Sequence, residues 1–189
     1  MNIYKTAKEL FKRRNICVRQ CVEEQSDFYF SRLDAVEDKF VKNFYSQAVC
    51  GTVADTYDFF TYLQSNNNIF YRNAKLLTPE LGREIYKWNA MYHTIQFLRI
   101  GFKASNEKLK ADLEACLFNA YELSDKEQEV YLSFLDLIRK NPARFEVEFS
   151  KEFLKNIFGG ENSGGPVTLA FANNFFYNSF HEFAQYVTV

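Results

Sequence analysis

His93 is one of two histidines in the chain, and its neighbours give it a setting in which an imidazole can do chemistry. It lies in the stretch TPELGREIYKWNAMYHTIQFLRIGFK, with Asn89 four residues before it and Gln96 three after. At the helical repeat these side chains share one face, and Tyr86 continues the row two turns before His93. A row of amide, imidazole and phenol on an otherwise apolar helix can line a pocket and orient a small ligand. The plainer account is a structural histidine, satisfied by hydrogen bonds in a seam between helices.

The other chemical patterns are incomplete. Cys17 and Cys21 stand one helical turn apart and could offer two thiolates to zinc, but Cys50, Cys116, His93 or His181 would have to join them, and no paired CxxC spacing is present. Small buried thiols that pack in the core are the simpler expectation. A di-iron bundle needs Glu-x-x-His on two helices, whereas Ala90 and Asn178 precede the histidines at that spacing. GGENSGGP lacks the Gly-Lys-Ser/Thr ending of a phosphate loop, and GxSxG, HExxH and GxGxxG do not occur. Acid pairs such as Asp55 with Asp58, or Asp34 with Glu37, sit where solvated charge is the default. The sequence thus assigns no catalytic residue, no metal ligand and no cofactor.

These residues need helices to position them. The stretch around His93 predicts a central helix over about 79–102, capped by Thr78 with Pro79 in its first turn and Glu80 near the positive end of its dipole. Leu81, Ile85, Trp88, Tyr92 and Ile95 form one apolar stripe, and Tyr86, Ala90, Phe97 and Ile100 form a second on nearly the opposite side. A helix that must bury two faces belongs in the middle of a bundle.

Around it the periodicity predicts an all-α, single-domain bundle of about eight helices over residues 1–189. The first runs from about Ile3 to Glu24. Ser26 or Asp27 opens a second, Gly51 ends it, and Thr52 to Asp55 reads as the capping box of a third. Ser105 starts the helix after the central one, Ser124 to Glu127 is a capping box for the next, and Asn141 with Pro142 begins another. ARFEVEF alternates as a strand would, but Phe145, Phe149 and Phe153 recur every four residues, which favours a helix. Residues 159–166, glycine-rich, predict a flexible loop before a C-terminal helix, and the loop could act as a lid over Tyr177 and His181.

Composition bounds the function. With 189 residues and 47% hydrophobic content the chain can build its own core, and the lack of an apolar leader or long apolar run predicts a cytoplasmic protein with no transmembrane segment. Phe, Tyr and Trp make up 18% of residues, which fits either a partner surface or a core that uses Phe where others use Leu. The net charge of −1 conceals a split: Lys5, Lys8, Lys12, Arg13, Arg14 and Arg19 face only Glu9 in the first twenty residues, and the remainder is acidic. Lys5, Lys8, Lys12 and Arg19 line one side of the first helix, while Arg14 falls in its apolar stripe and calls for a buried partner.

Two functions follow as expectations. One is a non-enzymatic interaction protein of adaptor, immunity or inhibitor type, binding a protein partner through Lys5, Lys8, Lys12 and Arg19. Nucleic acid is the weaker variant, since the acidic remainder would repel a long phosphate backbone. The alternative is a small-molecule sensor or enzyme with an aromatic-lined pocket at Tyr86, Asn89, His93 and Gln96. Oligomeric state leaves no mark that sequence reading can follow.

Overall fold

The computed structural model describes residues 19, 20, 22–65, 79–100, 106–158 and 166–184. Among them are seven helices and no strand: α1 (residues 22–33, with 19 and 20 also helical), α2 (Lys39–Ser65), α3 (Pro79–Ile100), α4 (Glu107–Ala120), α5 (Asp125–Lys140), α6 (Pro142–Phe158) and α7 (Pro166–Ala184). Among the described residues the expected eight helices become seven because the predicted second helix, about Phe28 to Val49, is broken at residues 34–38: its start continues α1, and its remainder runs on into the predicted third as α2. None of the helices is long and apolar enough to cross a membrane, among the described residues.

α3 is the axis of the bundle. It packs against α2, α4, α5, α6 and α7, and α1 reaches it through side-chain hydrogen bonds. Both predicted stripes are buried where described, and so is what lies between them: residues 85–98 are buried without a gap. Even Lys87 is 8% exposed, because its Nζ lies 2.6 Å from Glu84 Oε1 and 2.7 Å from Glu127 Oε1. Burial acts to lower its pKa, but the two paired carboxylates outweigh that and raise it.

Most of the boundaries that the sequence misplaced lie where tertiary packing overrides a local signal. Ser26 does not open a helix; its Oγ donates to Val22 O at 2.9 Å inside α1 and meets Tyr86 Oη at 2.6 Å. α1 instead ends near residue 33, and Asp38 caps α2 by accepting from Val41 N at 2.9 Å. Gly51 does not stop α2 but sits inside it against α7, where an added Cβ would lie 3.6 Å from Ser179 O. Thr52 is not a cap either: its Oγ1 lies 2.6 Å from Ala48 O, one turn back. Hydroxyls that bond the preceding turn tolerate a helix interior, and tertiary packing overrides local propensity. Asn106, not Ser105, caps α4, accepting from Leu109 N at 3.3 Å.

Three other helix signals read correctly. Ser124 and Glu127 form a reciprocal capping box on α5. Asn141 Oδ1 accepts from Arg144 N at 3.1 Å ahead of Pro142. α6 is helical, with Phe145, Phe149 and Phe153 fully buried on one face. Among the described residues the aromatic side chains are largely core: Tyr92 stacks on Phe176 at 5.3 Å between centroids and on Phe145 at 5.8 Å, while Phe149 meets it edge-on at 5.5 Å. Leu132 and Tyr177 are the exposed large apolar side chains among the described residues.

Candidate functional site

The row on α3 is buried to its full length: Asn89 and His93 are 0% exposed, Tyr86 1% and Gln96 4%. Its members divide among different neighbours. Asn89 faces the crossing of α2 and α7, where Thr52 Oγ1 lies 2.9 Å from its Oδ1 and its Nδ2 donates to Ser179 Oγ at 3.1 Å. The same Ser179 Oγ lies 3.2 Å from His93 Nε2. Thr52, Asn89, Ser179 and His93 are therefore one polar network that ties α2, α3 and α7 together. Tyr86 belongs to a separate pair with Ser26 on α1, and burial pushes its phenol up to about 12.

Gln96 belongs to a third group. Its Nε2 donates to Glu146 Oε1 at 2.7 Å and to Tyr92 Oη at 3.1 Å, while Tyr92 Oη donates to Glu146 at 2.9 Å. Burial raises the Glu146 carboxyl; the bonds from Tyr92 and Gln96 and the nearby Arg99 charge act the other way. The row was legible by spacing, but its partners on α1, α2, α6 and α7 were not, because nothing local announces a contact dozens of residues away.

His93 is held between rings as well as by Ser179. Its imidazole stacks on Phe183 with centroids 4.7 Å apart and planes 18° from parallel, and Phe180 lies at 5.9 Å. Burial alone drives its pKa from 6.5 down to about 3. The ring is neutral at physiological pH, and its Nδ1 has no hydrogen-bond partner. A buried neutral imidazole bonded through one nitrogen and stacked on an aromatic ring is suited to holding helices in register.

The remaining candidates, apart from the buried Cys116, lie at the surface or outside the described residues. Lys5, Lys8, Lys12, Arg13, Arg14, Cys17 and Cys21, and the loop at 159–165, fall outside the described positions. Arg19 is described and exposed, and its Nε bonds Glu23 Oε1 at 2.9 Å one turn along. Cys50 is exposed and Cys116 buried, and burial pushes the Cys116 thiol up to about 11, which keeps it protonated. No group of three or more His, Cys, Asp or Glu is placed to hold a metal ion, among the described residues.

The surface has hollows that sequence reading missed. An open groove of about 890 Å³ runs between the end of α1, the start of α2 and α4, with Val36, Val41 and Cys116 at its floor and Arg32, Asp38 and Asp112 among its polar lining. A smaller hollow of about 590 Å³ lies where α3, α4 and α5 meet, between Arg99, Lys110, Arg139 and Glu107. Beside the groove, Arg32 Nη1 donates to Ala120 O at 2.8 Å and pairs with Glu122, while its guanidinium and that of Arg83 lie 4.7 and 5.0 Å from the centroid of the Phe28 ring. Neither hollow contains the His93 row. No protein-family model, curated protein or solved structure matches this chain.

Proposed function

We propose that this chain is a non-enzymatic, cytoplasmic interaction protein of adaptor, immunity or inhibitor type, which binds a protein partner with an acidic surface through Lys5, Lys8, Lys12 and Arg19. The observation that carries the reading is where α3 spends its polar side chains. Asn89 and Gln96, with His93 through Nε2, bond to neighbouring helices, so the groups best suited to chemistry serve the bundle. What remains available to another molecule is the surface. In the sequence the run of Lys5, Lys8, Lys12 and Arg19 is the most asymmetric feature in charge, and such a stripe, where exposed, steers an oppositely charged partner.

The small-molecule alternative draws less support. A pocket shared by Tyr86, Asn89, His93 and Gln96 would have to break three separate hydrogen-bonded groups to open. Affinity capture of the tagged chain at low and moderate salt, beside a variant with Glu at positions 5, 8, 12 and 19, separates the readings. A stoichiometric protein captured by the wild type and lost with the variant, at unchanged thermal stability, supports the proposal. Equal capture by both removes the basic stripe from it. An empty capture at both salts, followed by a thermal shift with a metabolite that Asn89→Ala abolishes, would replace it with the alternative.

A further inference from the structure

Three cations from three helices line the smaller hollow. Arg99 lies in the last turn of α3, Lys110 on α4 and Arg139 in the last turn of α5, with Glu107 as the single carboxylate in the lining. A cation in the last turn of a helix offsets its dipole, which accounts for one positive charge at the end of α3 and one at the end of α5. It does not account for Lys110, the fourth residue of α4, which stands near the positive end of its own helix. Nor does it account for the two guanidiniums, which form no ion pair among the described residues; Arg99 directs Nε to Gln96 Oε1 at 3.3 Å. Lys110 lies 3.5 Å from Glu114, longer than a direct N–H···O bond, and Glu114 is not part of the lining. Gathering like charges costs electrostatic energy, and here it occurs on a chain that is acidic overall beyond its first twenty residues.

Charge and shape together define what fits. A planar carboxylate is satisfied by the fork of one guanidinium, whereas the oxygens of a tetrahedral phosphate can meet donors from several sides at once. Between the cations the floor is apolar, with Leu98 and Ile138 buried and Pro142 beside them. The volume of about 590 Å³ falls in the range of small-molecule sites and exceeds what a bare phosphate needs. We propose that this hollow binds a phosphate monoester, the phosphate held among Arg99, Lys110 and Arg139 and its apolar body laid on Leu98 and Ile138. The site goes beyond the proposed function and is independent of it, because it uses α3, α4 and α5 and none of Lys5, Lys8, Lys12 and Arg19.

Calorimetric titration of the full chain with phenyl phosphate tests it, at about pH 7.5, where the monoester is a dianion, and a fixed ionic strength of about 0.15 M. Saturable binding at one site per chain is expected. Arg139→Gln, at an exposed position, and Lys110→Gln should each weaken it about tenfold, the effect of losing one charge-assisted hydrogen bond. Glu107→Gln should tighten it severalfold by removing the opposing charge, a gain that damage to the fold would not produce. Inorganic phosphate, with nothing to cover the floor, should bind about tenfold more weakly. Lys126→Gln at the other end of α5, and the variant with Glu at positions 5, 8, 12 and 19, should leave affinity unchanged. A wild type without saturable binding overturns the proposal, as does equal affinity in Arg139→Gln and Lys110→Gln, or weaker binding by Glu107→Gln. Inorganic phosphate that binds as tightly as phenyl phosphate refutes the apolar floor, and loss of binding in the four-glutamate variant moves the anion to the first helix and refutes the site.

Discussion

Ser179 on α7 places its hydroxyl 3.2 Å from Nε2 of His93 on α3, and the same oxygen accepts from Asn89 Nδ2 at 3.1 Å. One small side chain thus satisfies two buried groups on the central helix. Ser179→Ala would leave His93 Nε2 and Asn89 Nδ2 without a partner, while Asn89 Oδ1 keeps Thr52, and an unsatisfied buried polar group costs roughly 1–3 kcal/mol. The variant is expected to lose about 2 kcal/mol, a fall in melting temperature of roughly 4–8 °C for a chain of this length. Denaturant titration at neutral pH measures it, and a loss below about 0.5 kcal/mol would mean that the hydroxyl contributes nothing.

Acid should weaken the bundle through His93. The folded ring stays neutral down to about pH 3, whereas in the unfolded chain it takes up a proton near 6.5. Between those values the unfolded state binds more protons, so stability rises with pH across the window by up to about 1.4 kcal/mol per unit. Glu146 works in the opposite sense, because its raised folded pKa makes the folded state the better proton binder just above the usual carboxylate range. Comparing unfolding midpoints of the wild type and His93→Gln between pH 4 and pH 7 isolates the imidazole. The wild type should show the steeper loss toward acid; parallel curves would remove His93 as the cause.

Gly51→Ala is expected to stabilise the protein. Gly51 lies inside α2, and the added methyl group would meet Ser179 O at 3.6 Å and Ser179 Oγ at 3.7 Å, which is ordinary contact. Alanine in a helix interior gains roughly 0.5–1 kcal/mol over glycine, since less chain entropy is lost on folding. A rise in melting temperature of roughly 1–4 °C is the expected result. A fall would show that the contact between α2 and α7 has no room for the added methyl group.

Glu127 has two roles at once: Oε2 accepts from Ser124 N at 2.9 Å to complete the α5 cap, and Oε1 pairs with Lys87 at 2.7 Å. Glu127→Ala removes both and leaves the buried ammonium with Glu84 alone, at an expected cost of about 2–3 kcal/mol. Lys87→Met should cost less than Glu127→Ala, because an apolar side chain of similar length needs no counter-charge. Chemical denaturation of the two variants gives the order, and the reverse order would refute this account of the pair.

How much of this was legible depends on where the determining contact lies in the chain. The α5 cap, the Asn141 cap and the Phe145, Phe149, Phe153 face each fit within a few residues, and local pattern revealed them. The interior of α2 did not, because Gly51 and Thr52 carry stop and cap signals that are overruled by α7 and α3. Glu122 is a similar case. It adopts φ 51° after α4, where glycine would be expected, while Leu123 N bonds Phe118 O at 3.0 Å. The candidate row on α3 was visible as spacing, but its division among three groups required the tertiary structure.

The chain's only tryptophan is Trp88, which sits on the central helix at 2% exposure with Phe149 and Phe153 of α6 edge-on at 5.3 and 6.2 Å. Its indole N–H has no partner. A dry, unbonded indole emits at the blue end of its range and moves red once water reaches it. The molecule therefore contains its own optical reporter of whether α6 remains docked on α3, readable without a label.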